Sequence, residues 1–109
     1  MNEKYEKELI ELKKKFGKII TLTVPLDEDD SNKVAILFLK KPDRTVRGLV
    51  GSLATSKDGG IRAIEAALKN LRVGGDDLKL ILENDDAMAS LDEAIYELFA
   101  VQKATIKKN

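Results

Sequence analysis

The chain has 109 residues, the length of one domain (1–109) around one core. It sets 19 Lys and Arg against 19 Asp and Glu, and it has no His, Cys or Trp. Balanced charge argues against general affinity for nucleic acid or anionic membranes, and without His and Cys the commonest general base, thiol chemistry and most zinc sites are gone.

Residues 3–16 predict a helix. Tyr5, Leu9, Leu12 and Phe16 recur at spacings of one turn and share a face. Apart from Ile10, charge fills the other positions, and Gly17 stands where a left-handed C-terminal cap is expected. From Lys18 to Val24 the period changes to two. Ile20, Leu22 and Val24 alternate with Ile19, Thr21 and Thr23. Lys33 to Lys40 repeats the pattern, with Val34, Ile36 and Phe38 opposite Ala35, Leu37 and Leu39. Pro25 to Asn32 is turn chemistry, so 18–24 and 33–40 predict an antiparallel hairpin with a long acidic tip. Asp27, Asp29 and Ser31 alternate like calcium ligands. Asn32 and Phe38 then occupy the positions where a calcium loop needs glycine and glutamate, so a solvated tip is expected instead.

The hairpin ends in Lys40-Lys41-Pro42-Asp43-Arg44. Pro42 cannot donate to a ladder and disfavours a helical Lys41, which stops the strand. Asp43 offers a carboxylate to the free amides of the next helix. That helix is marked by Val46, Leu49, Val50 and Leu53 and ends near Thr55. A third follows with Ile61, Ile64, Leu68 and Leu71, and the glycines of Arg72-Val73-Gly74-Gly75-Asp76-Asp77 are expected to end it. Neither glycine pair has the spacing of a nucleotide-binding loop. Leu78–Leu82 is either a helical turn or a brief extended piece. Glu83-Asn84-Asp85-Asp86 supplies caps for the longest helix, traced by Leu91, Ala94, Ile95, Leu98, Val101 and Ile106. Ser90 and Glu93 form a capping box if that helix starts later. Met88, Tyr96 and Phe99 lie off its tightest stripe, either widening the core face or forming an exposed apolar patch.

The fold class is therefore α+β: an N-terminal helix, an antiparallel two-stranded hairpin, then three to four helices packed on it. Both hairpin faces carry apolar residues and two strands alone are marginal, so helices cover both faces or a second copy extends the sheet; a weak homodimer is expected. No stretch approaches the roughly 20 apolar residues of a membrane span. The opening Met1-Asn2-Glu3-Lys4 carries no apolar signal segment, so a cytoplasmic protein with no membrane partner is expected. No catalytic residue, cofactor or metal site is expected.

Taken together, "GKIITLTV", "KVAILFLKKPDR", "NLRVGGDD", "ENDD" and the closing "VQKATIKKN" resemble a family of small tail-assembly chaperones from phages and prophages. The likeness runs from Lys15 onward and departs at Asn70-Leu71-Arg72-Val73, where the family carries a Cys-Trp-containing stretch. The resemblance implies a non-enzymatic protein in the bacterial cytoplasm. Such a protein binds the tape-measure protein, keeps its long apolar helices soluble and helps tail tube subunits assemble around it. Under that resemblance the expected contacts are Met88, Tyr96 and Phe99 on the last helix, Tyr5 and Leu9 on the first, and Arg44 and Arg47 at the rim. The alternative is a small regulatory or nucleic-acid-associated protein using Lys40, Lys41, Arg44, Arg47, Arg62 and Arg72 as a basic face. Zero net charge disfavours it.

Overall fold

The computed structural model describes residues 3–54 and 59–99. The expected helix end at Thr55 and the continuation of the last helix to Ile106 lie outside them. Chain order is α1 (Glu3–Phe16), β1 (Ile19–Pro25), β2 (Val34–Lys40), α2 (Arg44–Ala54), α3 (Gly59–Leu71), β3 (Arg72–Gly75), α4 (Lys79–Leu82) and α5 (Asp85–Phe99).

The local signals account for most boundaries. Gly17 takes φ +82° and its amide returns to the Lys13 carbonyl at 2.9 Å, closing α1. β1 and β2 pair antiparallel from Ile19↔Lys40 to Pro25↔Val34 without interruption. In the tip between them, Asp27 and Asp30 carboxylates accept the amides of Asp29 and Asn32 at 2.9 and 3.0 Å. Those carboxylates thus shape the turn itself. Pro42 lies outside both β2 and α2, and Asp43 Oδ1 caps α2 by accepting the Val46 amide at 2.8 Å. Asn84 Oδ1 caps α5 by accepting the Ala87 amide at 3.0 Å. Ser90 lies inside α5, with its hydroxyl donating to the Ala87 carbonyl, so it is not a capping residue. Leu78–Leu82 resolves to a single helical turn.

The two-stranded hairpin needs correction. The sheet has three strands in the order β1-β2-β3, all antiparallel, because Arg72–Gly75 folds back along β2 instead of only terminating α3. Leu37 pairs with Gly75, Phe38 with Gly74 and Leu39 with Arg72, with a register shift between Phe38 and Leu39. Gly75 makes this approach possible: at φ +94° an added Cβ would lie 2.3 Å from the Ile36 carbonyl oxygen. Counting α4, the described residues hold five helices, α1 and four after the hairpin, beside the three-stranded sheet, so the architecture is α+β.

The pleat divides the sheet into two faces. Ile20, Leu22 and Val24 stand opposite Leu39, Leu37 and Ala35, and this face joins Val46, Val50, Ile64, Leu68, Leu71, Ile81, Leu91 and Ile95 in the main core. Phe38 is also fully buried but points to the other face, where α1 lies. There the Tyr5 ring meets Phe38 edge-on at 6.3 Å and 71°. Helices therefore cover both faces. None of the residues of α1 is fully buried, so this layer is the lighter of the two.

Candidate functional site

Two places gather the residues that the sequence singled out. The first is a groove between α2, α3 and α5, about 540 Å³ in volume. Arg47, Val50 and Gly51 line it from α2, Gly60, Ala63 and Ile64 from α3, and Asp92, Ile95, Tyr96 and Phe99 from α5. Val50, Ala63, Ile64 and Ile95 form its buried floor, each presented by the apolar stripe of its own helix. Two of the lining residues are glycines, and a Cβ at Gly51 or Gly60 would touch nothing within 4 Å. Tyr96 stands on the rim with 78% of its surface exposed.

Arg47 ties one end of the groove together. Its Nη1 donates to the Phe99 carbonyl at 3.0 Å, and its guanidinium lies 5.8 Å from the centre of the Phe99 ring. Arg47 and Asp92 are the two charged residues among the lining side chains, and the remainder are apolar, aromatic or glycine. The arrangement offers water-excluding surface between three helices, with one cation and one carboxylate to orient what lies there.

The second place joins α1 to the sheet. Asp76 Oδ2 accepts the Ile36 amide at 2.8 Å, the Tyr5 hydroxyl donates to Asp76 Oδ1, and Glu8 Oε1 accepts the Gly75 amide at 2.6 Å. Arg72 donates to the carbonyls of Asp76 and Gly75 at 3.0 and 3.2 Å. The bond to Asp76 raises the Tyr5 hydroxyl above its usual pKa near 10, and burial and the charges of Asp76 and Glu8 add to the shift. The fold thus favours the protonated hydroxyl. Tyr5 stabilisation is complete below about pH 10 and is lost as pH rises through the higher folded value. Wild type should therefore resist urea better than Tyr5→Phe by a constant margin between about pH 7 and pH 9, and the margin should shrink above about pH 10.5. A margin independent of pH up to 11.5 would show that the hydroxyl does not hold this bond.

The seven contact residues expected from the sequence are consequently dispersed. Arg47, Tyr96 and Phe99 meet in the groove. Met88 packs partly buried against the main core. Tyr5 and Leu9 lie half-buried on α1, across the sheet from the groove, and Arg44 is exposed at the first position of α2. The basic residues also part company: Arg47 and Arg72 donate to backbone carbonyls, and Lys40 lies on the α1 face opposite Ile19. The groove's glycines were not among the expected contacts. Their signal was present in the helical pattern, since glycine inside an amphipathic helix disfavours the helix unless something lies close or space is needed.

Among the described residues no cluster of three or more carboxylates, His or Cys could hold a metal ion, and no helix is long and apolar enough to cross a membrane. No protein-family model, curated protein or solved structure matches the chain.

Proposed function

We propose that this protein is a non-enzymatic tail-assembly chaperone acting in the bacterial cytoplasm, and that the groove between α2, α3 and α5 receives an apolar helix face of the tape-measure protein. The observation that carries the proposal is the largely apolar groove, lined in part by Gly51 and Gly60 and rimmed by exposed Tyr96. It supports the family resemblance because a long amphipathic client needs its apolar stripe covered, and a groove between helices covers such a stripe with successive anchors. Tail tube protein is a second partner on the same logic, engaged once the client is covered. Nucleic acid and membranes are outside the proposed role.

Co-expression with a phage tape-measure protein tests the proposal. Wild type should keep that client in the soluble fraction. Gly51→Leu should abolish the effect while leaving the protein folded, because its side chain enters open space and glycine is a poor helix former. Phe99→Asp should weaken client binding by several kcal/mol, since a carboxylate is desolvated against apolar surface. Tyr96→Asp should act in the same direction with less effect on folding, given its exposure. Arg44→Ala, outside the groove lining, should cost well under about 1 kcal/mol. Circular dichroism must show each variant folded. If wild type never rescues the client, the function is wrong; if folded Gly51→Leu rescues it fully, the groove is not the contact.

A further inference from the structure

The two edges of the sheet are built differently. β3 is four residues long, its pairing with β2 is irregular, and Glu8 and Leu12 of α1 lie against its glycines. These are ways in which proteins blunt an edge against further pairing. β1 lacks the short length and the irregular pairing, although α1 and α5 both pack near it. It is seven residues long, pairs with β2 in unbroken register, carries no charged side chain, and has proline only at its last position.

The direction of its free backbone groups follows from the ladder. Leu26 donates to the carbonyl of Lys33, the residue directly opposite it, at 2.8 Å. Alternation then points the amides and carbonyls of Ile20, Leu22 and Val24 at β2. Those of Ile19, Thr21 and Thr23 point outward, together with the Pro25 carbonyl. No described strand pairs with them.

The geometry points to a second copy of this chain as the occupant of that edge: we propose that β1 pairs antiparallel with β1 of another molecule about a two-fold axis at Leu22. Two features choose a second copy over a foreign strand. First, Ile20-Thr21-Leu22-Thr23-Val24 reads alike in both directions by residue type. Antiparallel pairing sets Thr21 opposite Thr23 of the second copy, Ile20 opposite Val24, and Leu22 opposite itself. Self-complementarity of this kind is what a two-fold interface requires. The outward groups of Thr21 and Thr23 then exchange N–H···O bonds, and the Ile19 amide reaches the Pro25 carbonyl, which needs no donor from proline. Half-buried Ile20 and Leu22 gain cover on the core face, and exposed Thr21 and Thr23 pair on the other.

Second, β1 is bracketed by opposite charge. Lys13, Lys14, Lys15 and Lys18 precede it, and Asp27, Glu28, Asp29 and Asp30 follow it. Antiparallel pairing lays the basic end of each strand beside the acidic end of the other, at both ends of the interface. Parallel pairing would set like against like. The result is a six-stranded sheet continuous through the dimer, with both α1 helices on one side. This pairing stands independently of the tail-assembly proposal.

Sedimentation velocity on the full chain, from low-micromolar to millimolar concentration, tests it. Wild type should show a concentration-dependent monomer–dimer equilibrium. Thr23→Pro removes an outward amide that β2 does not use and should weaken association at least about tenfold. Because that change alters the backbone, Thr21→Lys/Thr23→Lys is the second variant. It replaces exposed side chains and sets lysines opposite one another in the dimer, and it should weaken association at least as much. Lys18→Glu should weaken it in a salt-sensitive manner, and Lys18→Glu/Glu28→Lys should restore it. A wild type that remains monomeric throughout overturns the proposal, including one whose edge captures an added extended peptide instead. A dimer that survives both edge variants overturns it too.

Discussion

Gly75→Ala is expected to destabilise the protein by about 3 kcal/mol or more, the largest effect of any single methyl addition in the described chain. Two costs coincide there. The residue sits at φ +94°, a backbone conformation that side chains with a Cβ rarely adopt. The new Cβ would also lie 2.3 Å from the Ile36 carbonyl oxygen and 2.8 Å from the Leu37 Cα, both backbone atoms of the central strand. Neither can move without opening the ladder on both sides of β2. Stability of a domain this size is about 5–15 kcal/mol, so the loss is a large share of it. Gly74→Ala provides the internal control. Its Cβ would meet Leu12 Cδ1 at 2.8 Å and Glu8 Oε1 at 3.1 Å, the far ends of flexible side chains, so about 1 kcal/mol is expected. Urea unfolding midpoints should therefore fall in the order wild type, Gly74→Ala, Gly75→Ala. Equal costs at the two glycines would show that β3 does not lie where it is described.

Asp76→Ala is expected to cost about 2–4 kcal/mol and to loosen α1 from the sheet. One carboxylate serves two elements: it accepts the Ile36 amide from β2 and the Tyr5 hydroxyl from α1. Alanine leaves both donors without that acceptor, and hydrogen bonds to a charged acceptor are the costlier kind to lose. Asp76→Asn should recover roughly half, because its carbonyl oxygen can still accept from Ile36 while its amide group faces a hydroxyl that must then accept. Amide exchange gives the element-specific readout. Protection in α1 should fall more than protection in α3 or α5, since the main core on the opposite face is untouched. A double-mutant cycle with Tyr5→Phe should return a coupling of about 1 kcal/mol or more; a coupling near zero would separate Tyr5 from this junction.

The sequence by itself determined the elements whose signals are local. Helix 3–16 and its Gly17 cap, the two alternating strands, the Pro42-Asp43 break and the stripes through Ile64, Leu68, Leu71, Leu91 and Ile95 all depend on backbone preferences and periodicity within a few residues. The face assignment of the hairpin was legible for the same reason, since a period of two leaves no other way to divide Ile20, Leu22 and Val24 from Thr21 and Thr23.

Only the tertiary structure decided the rest. Arg72–Gly75 has two glycines in four positions and no strand signal of its own; it becomes β3 because β2 offers an open ladder and Gly75 can approach it. Strand pairing is a long-range interaction, so nothing within the segment announces it. Met88 and Tyr96 likewise stand on one helix with similar local patterns. Met88 meets the main core, while Tyr96 reaches the place where Gly51 and Gly60 present no side chain. What an apolar side chain does depends on what the facing helix brings to it, and that is set by packing between segments distant in the chain.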